Sequence, residues 1–237
     1  MNNLNLQDES IINHYQTELT GNLNDQLISD PSLEMTDSSY VYQQQLKRLF
    51  DILFSLTVLI AFSWVYVIIA LLIRSDSRGK VIFKQQRTGK DDQAFWCYKF
   101  RTMVVNDHAH TNHAQKNDSR ITGIGRFLRK SSLDELPQFF NVLMGSMSVV
   151  GPRPHMLKHT QEYRETIDHF MVRHSIKPGI TGWAQVKGFR GNTTGNEMME
   201  NRVKHDIWYI ENWSNKLDLK IIMLTARQVL RGHENAF

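Results

Sequence analysis

The sequence predicts an α+β, mostly helical protein in which a membrane-embedded N-terminal helix precedes a small domain carrying a short β-hairpin. Three observations predict it. Residues 52–73 carry no charge at all. Two runs rich in β-branched and aromatic residues, VIFKQQRTG and QAFWCYKFRTM, flank a glycine-bearing turn, as hairpin strands do. Four helical stretches follow, at about Glu135–Met144, His155–Ile167, Glu197–Asn212 and Leu217–Gly232, separated by loops such as GPRP, KPGITGW and KGFRGN.

The uncharged run, ILFSLTVLIAFSWVYVIIALLI, would extend roughly 33 Å as a straight helix, against a hydrocarbon core of about 30 Å. A buried helix of a soluble domain is the alternative. Apolarity on every side beside a polar domain argues against it. Lys47 and Arg48 precede the run, and Arg74, Arg78, Lys80 and Lys84 follow it, so charge marks both ends as cytoplasmic. Two topologies stay open. The helix crosses with its acidic tail outside, or it enters and returns on one face with Ser63 and Trp64 near the bend.

Three segments are expected: a leader over 1–46, a membrane helix with its flanks over 47–79, and a soluble domain over 80–237. The leader has seven acids and no Lys or Arg. Its −7 within a whole-chain charge of +4 leaves +11 on residues 47–237. Apart from a short helix around Ile11–Leu19, its Asn, Gln, Ser and Thr content reads as loosely attached or disordered. No basic n-region followed by an apolar run opens the chain, so a secretory signal is not expected. The basic body calls for an anionic partner: a lipid surface, a phosphorylated substrate or nucleic acid. No recognition helix or aromatic binding motif supports nucleic acid. Cys97 is the single cysteine, which excludes an internal disulfide and a cysteine-based zinc site. Between aromatics in a strand, it reads as packed rather than nucleophilic.

The densest chemistry lies in RKSSLDELPQFFNVLMG, residues 129–145. Pro137 is tolerated only in a helix's first turn, so a helix begins near Ser132–Asp134 and places Asp134 and Glu135 at its N-terminus. Two readings fit. Ser132 and Glu135 have capping-box spacing, and Asp is a favoured N-cap. Alternatively, the acids and the basic Arg126, Arg129 and Lys130 upstream form a catalytic site for an anionic substrate. In SVVGPRPH, two prolines fix the backbone around Arg153 and project a guanidinium suited to phosphate, or else the turn is an ordinary surface turn. The glycines of HSIKPGITGWAQVKG match neither a P-loop nor a dinucleotide fingerprint, although Lys177 and Trp183 there suit the wall of a nucleotide pocket. In DIWYIENWSNKLDLKII, Trp208, Tyr209 and Trp213 serve either a membrane interface or helix packing. Asp206, Glu211 and Asp218 are metal or substrate ligands, or solvated acids. His108, His110 and His113 lie in a polar loop without a partner at metal-ligand spacing, and a metal is not expected there.

KRLFD, FKQQRTG, FWCYKFRTM, ITGIGRFLRKSSLDELPQFFNVLMGSMSVVGPRP, KPGITGWAQVKG and DIWYIENWSNKLDLKII occur in this order. Over about residues 46–237 they resemble the bacterial sugar transferases, the monotopic polyprenyl-phosphate phosphoglycosyl transferases, and in particular the undecaprenyl-phosphate glucose phosphotransferase branch. The resemblance implies an enzyme at the cytoplasmic face of the bacterial inner membrane. It would move a sugar phosphate from a UDP-sugar to undecaprenyl phosphate, with Mg²⁺ as cofactor, as the first membrane step of exopolysaccharide or glycan synthesis. It implies Asp134 as nucleophile, Glu135 as Mg²⁺ ligand, Arg129 and Arg153 as phosphate-binding residues, and Lys99 and Arg101 as a further basic part of the site. With Lys177 and Asp206, these make up the expected substrate-binding set.

Two departures from the family pattern stand out. Its members usually carry a proline that breaks the membrane helix, and none occurs between residues 52 and 73. Larger relatives place additional transmembrane helices and another domain where this chain has its acidic leader. A non-catalytic, membrane-tethered module that binds anionic lipid is the competing function class. Which sugar is transferred, and whether the protein forms a homo-oligomer, the sequence leaves open.

Overall fold

The computed structural model describes residues 31–105, 118–190 and 196–231. The three histidines at 108, 110 and 113, the helix expected around Ile11–Leu19 and the rest of residues 1–30 lie outside these described residues. The chain divides into a unit ending at Lys47 and a unit running from Arg48 to its end. Residues 31–46, which composition assigned to a loosely attached leader, are helical and run without interruption into the apolar segment as helix α1 (Pro31–Ala61). A polar composition does not oppose helix where Leu, Met, Glu and Gln supply the propensity.

The apolar segment is two helices, not one. Helix α1 stops at Ala61, Phe62 leaves helical geometry at φ −101° and ψ 10°, and α2 (Ser63–Asp76) continues at 61° to the first arm. Among the described residues no single helix is long and apolar enough to cross a membrane, whereas this bent pair qualifies by length and composition. Ser63 and Trp64 sit at the bend, where one of the two open topologies puts them, with Trp64 exposed.

The bend forms without proline because both arms are tied to the same body. On the first arm, Arg48 donates to the carbonyls of Val142 at 2.6 Å and Leu143 at 2.9 Å. Asp51 accepts the Val149 N–H at 3.0 Å. On the second arm, the Tyr66 hydroxyl donates to the Leu136 carbonyl at 2.6 Å, and Asp76 accepts the Ile124 N–H at 3.0 Å. Ile69 and Ile73 are buried with Phe100 and Leu128 in one apolar cluster.

Strands β1 (Ile82–Thr88) and β2 (Ala94–Phe100) form the expected antiparallel hairpin, in register from Ile82 opposite Phe100 to Thr88 opposite Ala94. Asp91 and Asp92 take left-handed conformations in the turn, which Asp tolerates better than most residues. Helix α3 (Gly123–Ser131) is capped by the Thr122 hydroxyl, which accepts the Gly125 N–H at 3.0 Å. A 3₁₀ turn (Leu133–Glu135) leads into α4 (Gln138–Met144). Asn141 in α4 locks the helix to the hairpin, accepting the Tyr98 N–H and donating to the Trp96 carbonyl at 2.7 Å.

Strands β3 (Ser148–Val150) and β4 (Gly179–Thr181) pair in parallel, and α5 (Leu157–Thr166) and a 3₁₀ turn (Phe170–His174) lie between them. A short α6 (Trp183–Val186), then α7 (Asn196–Glu211) and α8 (Asn215–Arg231), complete the fold. Cys97 is buried with Val142, Val149, Val150, Tyr209 and Ile221 in the main core, as its strand position suggested. Gly151, Gly179 and Gly182 pack backbone on backbone, where a Cβ would overlap a neighbouring main chain. These glycines serve close packing of β3 on β4.

The aromatic run at the end of α7 makes packing contacts. Tyr209 is buried and donates to Asp218 at 2.7 Å, and Trp213 donates to the other Asp218 oxygen at 3.2 Å, so these two are packing residues. Asp218 is their acceptor, and Glu211 is exposed. Trp208 stacks on Trp183 at 4.9 Å and keeps an exposed edge.

Candidate active site

Asp134 and Glu135 occupy the 3₁₀ turn between α3 and α4. Ser132 closes α3 in a left-handed conformation at φ 59°, so its side chain caps nothing, and Pro137 stands at the N-cap position of α4. The capping-box reading therefore gives way: the turn frees both carboxylates from the backbone. Both are buried.

The two acids meet opposite surroundings. Glu135 Oε1 accepts from Lys99 Nζ at 2.8 Å and from Arg153 Nη2 at 2.7 Å, and Oε2 accepts from Arg153 Nη1 at 3.3 Å. Arg190 Nη2 stands 3.6 Å from Oε2 and donates to the Ser132 hydroxyl at 2.9 Å. Three cations from three segments thus converge on one carboxylate. Burial alone would push its pKa up, but Arg153, Lys99 and Arg190 outweigh burial and hold it well below the usual carboxylate range. Asp134 accepts no hydrogen bond from any described residue. Burial pushes its pKa up, the adjacent Glu135 adds to the rise, and Lys99, Arg129 and Arg153 oppose it.

Each cation is placed by a different element. Lys99 comes from β2, and Arg153 from the proline-flanked turn after β3. That turn is held by Arg87, which donates to the Pro154 carbonyl at 2.7 Å, and by Arg173, which donates to the Arg153 carbonyl at 2.8 Å. Arg129, in the last turn of α3, donates to the Thr102 hydroxyl at 2.9 Å and adds its charge to the field at Asp134. Arg190 follows α6 and was not among the sequence-predicted residues. Its loop, KGFRGN, carries no periodic signal and lies 55 positions from Glu135.

Three expected site residues lie elsewhere. Arg101 turns to the end of α2 and donates to the carbonyls of Ile73, Ser77 and Arg78, so it caps that helix. Lys177 lies beside Arg48 and Gly145 at the far end of α4, and burial and Arg48 lower its pKa. Asp206 is almost wholly buried, and its Oδ2 is taken by Arg173 Nε at 3.0 Å and Nη2 at 2.7 Å. It reaches the site only through that arginine.

Among the described residues no group of three His, Cys, Asp or Glu gathers that would hold a metal alone. Two adjacent carboxylates amid cations suit a different arrangement. Mg²⁺ commonly takes one or two carboxylates and completes its shell with substrate phosphates and water. The donor set fits an ion shared with a diphosphate, and not one held by protein alone. With Lys99, Arg129, Arg153 and Arg190 around two acids, this cluster carries an excess of positive charge, which a polyanionic ligand would offset.

The sequence model of the family described as bacterial sugar transferase matches residues 42–232. The chain is 52% identical over 182 residues to a UDP-glucose:undecaprenyl-phosphate glucose-1-phosphate transferase of Klebsiella pneumoniae, covering 76% of this chain and 39% of that protein. It is 50% identical over 192 residues to the protein of the same name in Escherichia coli (strain K12), covering 80% and 40%. It is 44% identical over 193 residues to exopolysaccharide production protein PSS of Rhizobium leguminosarum bv. phaseoli, covering 79% and 96%. The aligned region thus makes up about two fifths of the first two relatives and nearly all of the third.

Proposed function

Because the chain belongs to the bacterial sugar transferase family, we propose that it transfers a sugar 1-phosphate, glucose or another hexose, from a UDP-sugar to undecaprenyl phosphate and releases UMP. The single observation that carries the chemistry is the asymmetry of the acids. Glu135 is held by cations, whereas Asp134 is buried, unbonded and free to attack.

In the first step, an Asp134 carboxylate oxygen attacks the phosphorus that bears the sugar. The bond from that phosphorus to the bridging oxygen breaks, and UMP leaves. The enzyme retains an aspartyl phosphosugar. In the second step, a phosphate oxygen of undecaprenyl phosphate attacks the same phosphorus and displaces the Asp134 oxygen. The product is a polyprenyl diphosphate sugar, and the free carboxylate returns. One site thereby serves a soluble and a lipid substrate in turn. Arg129, Arg153, Lys99 and Arg190 offset the charge of the anionic groups brought together. Glu135, with Asp134 beside it, would hold Mg²⁺, whose charge would screen the diphosphate.

Membrane attachment follows a re-entrant path in this reading. Arg48 and Asp51 at one end of the apolar pair, and Ile73 and Asp76 at the other, all dock on the same body. A spanning helix would separate its ends by roughly 30 Å across the bilayer. The basic flanks favour the cytoplasmic face of the bacterial inner membrane, and the pathway is exopolysaccharide or glycan assembly.

The test is UMP release from a panel of UDP-sugars with undecaprenyl phosphate, together with capture of labelled sugar phosphate on the protein. Asp134→Asn is expected to abolish both. Turnover near the unsubstituted rate would refute the nucleophile. An N-terminal tag labelled from outside the cell would refute the re-entrant path.

A further inference from the structure

Behind the cations on Glu135 lies a second, wholly internal group. Arg202 and Asp206 stand one turn apart on α7 and are both buried. Asp206 grips Arg173 with two hydrogen bonds, and the pair is 0% and 2% exposed. Arg173 Nη2 donates to the carbonyl of Arg153, and its Nη1 faces the His155 ring at 2.8 Å. Arg202 Nε donates to the carbonyl of Phe189 at 2.8 Å, and its Nη1 faces His155 Nε2 at 3.2 Å. Phe189 immediately precedes Arg190. The two arginines therefore hold the backbone carbonyl of one clamp residue and that of the residue before another.

His155 joins the two arms. A guanidinium has hydrogens to give and no lone pair, so the neutral ring accepts through its one unprotonated nitrogen. Nε2, 3.2 Å from both arginines, is the atom that can serve both arms. Burial lowers its pKa well below the ordinary value, and Arg173 and Arg202 add to that lowering. Phe170 stacks on the ring at 5.7 Å and fixes its plane.

We propose that Asp206, Arg173, His155 and Arg202 are positioning residues that set the two guanidiniums of the Glu135 clamp, Asp206 and Arg173 acting through Arg153 and Arg202 acting through Arg190. The inference rests on the transferase reading and assigns a task to α7, none of whose residues touches Glu135 within the described contacts. A guanidinium clamps a carboxylate with two hydrogen bonds only if its fork lies in the right plane. A turn held by a single carbonyl contact can rotate that plane. Displacement on the order of 1 Å at such a site costs about 100-fold in rate.

The experiment is a set of double-mutant cycles on UMP release by the full chain in lipid nanodiscs, with UDP-glucose and undecaprenyl phosphate as substrates. Asp206→Asn and Arg202→Lys are each expected to lower kcat/KM by about 10- to 100-fold, the usual cost of an outer-layer partner. In an Arg153→Lys background, Asp206→Asn should then cost less than about 3-fold, while Arg202→Lys keeps most of its effect. An Arg190→Lys background should reverse that pattern, because residues acting as one unit are not additive.

His155→Gln, which keeps an acceptor, should retain far more activity than His155→Leu. Should Asp206→Asn fail to fold, Asp206→Glu takes its place in the same cycles. Equal costs for each substitution in all three backgrounds would mean a merely structural role and overturn the proposal. So would unchanged kcat/KM in Asp206→Asn and Arg202→Lys. A chain without substitutions that releases no UMP from any UDP-sugar would instead refute the transferase reading, which separates the two failures.

Discussion

Arg153 meets Glu135 with both terminal nitrogens, at 2.7 Å and 3.3 Å, and so takes the carboxylate in a fork. The neighbouring Asp134 receives none of this. An acid clamped by Arg153, Lys99 and Arg190 is a poor nucleophile, because those cations lower its basicity. An acid buried without a partner is the more reactive of the two. The difference between the adjacent carboxylates thus comes from their contacts.

As the proposed nucleophile, Asp134 would attack only when ionised. Burial, then Glu135, raise its pKa, so the acid limb of kcat/KM should lie above the ordinary carboxylate range, with activity rising as pH climbs through it. Glu135→Gln removes a negative neighbour and releases Lys99 and Arg153, and it should move that limb to lower pH. A pH–rate profile of both proteins checks this, and a limb that stays in place counts against the coupling.

Stability should respond in the opposite sense at the two acids. Asp134 has a folded pKa above its unfolded value, so the folded state binds the extra proton, and stability falls as pH rises through that window. Glu135 has a folded pKa below its unfolded value, so its stabilisation is present above the unfolded pKa and lost as pH falls through the folded one. Asp134→Asn should therefore melt higher than the parent at pH 7, by about 2–4 °C for each kcal/mol relieved, and the gain should shrink toward pH 4. Thermal melts at the two pH values measure it.

Mg²⁺ should bind appreciably only with the nucleotide sugar present, because the protein offers two carboxylates already faced by cations. Titration calorimetry with Mg²⁺ alone should give no saturable heat, and adding UDP-glucose to Asp134→Asn should restore it. Tight binding of Mg²⁺ to the protein alone would contradict the shared-ion arrangement. Glu135→Gln should weaken the Mg²⁺ dependence of turnover.

Arg190→Ala removes a guanidinium that reaches both Ser132 and Glu135. A charge-assisted hydrogen bond of about 1.5–3 kcal/mol corresponds to a rise in KM for the UDP-sugar of roughly 10- to 100-fold. Steady-state kinetics decide between this and a structural role, in which KM would hold and only stability would fall.

Arg101→Ala should behave in that second way. Its guanidinium serves three carbonyls at the end of α2, and losing it removes hydrogen bonds from a charged donor, at a cost of about 1.5–3 kcal/mol. Denaturant unfolding should record the loss while KM for the UDP-sugar stays within about 3-fold, the span that roughly 0.6 kcal/mol permits.

Much of the fold was legible. The hairpin strands have the β-branched and aromatic content that strands favour, and the long helices α7 and α8 fall close to their expected bounds. The parallel pair β3–β4 was not legible, since three residues per strand give no measurable period. The break at Phe62 was legible only as one of two topologies. Without proline it depends on Arg48, Asp51, Tyr66 and Asp76 finding partners on the body. Arg101 sits two positions from Lys99 but ends on a helix terminus, because its partners at 73, 77 and 78 are brought to it by the packing of α2.

The sequence by itself determined the charge-free stretch of 22 residues, the basic body, the adjacent acids before Pro137 and the arginine between two prolines. These follow from composition and from local backbone rules, which act over a few residues. Only the tertiary structure decided which acid is clamped and which is free. Hydrogen bonds form within about 3 Å and lose their strength quickly beyond it. Lys99, Arg153 and Arg190 stand 36, 18 and 55 positions from Glu135, and nothing local to the turn specifies that all three arrive at Glu135 rather than at Asp134.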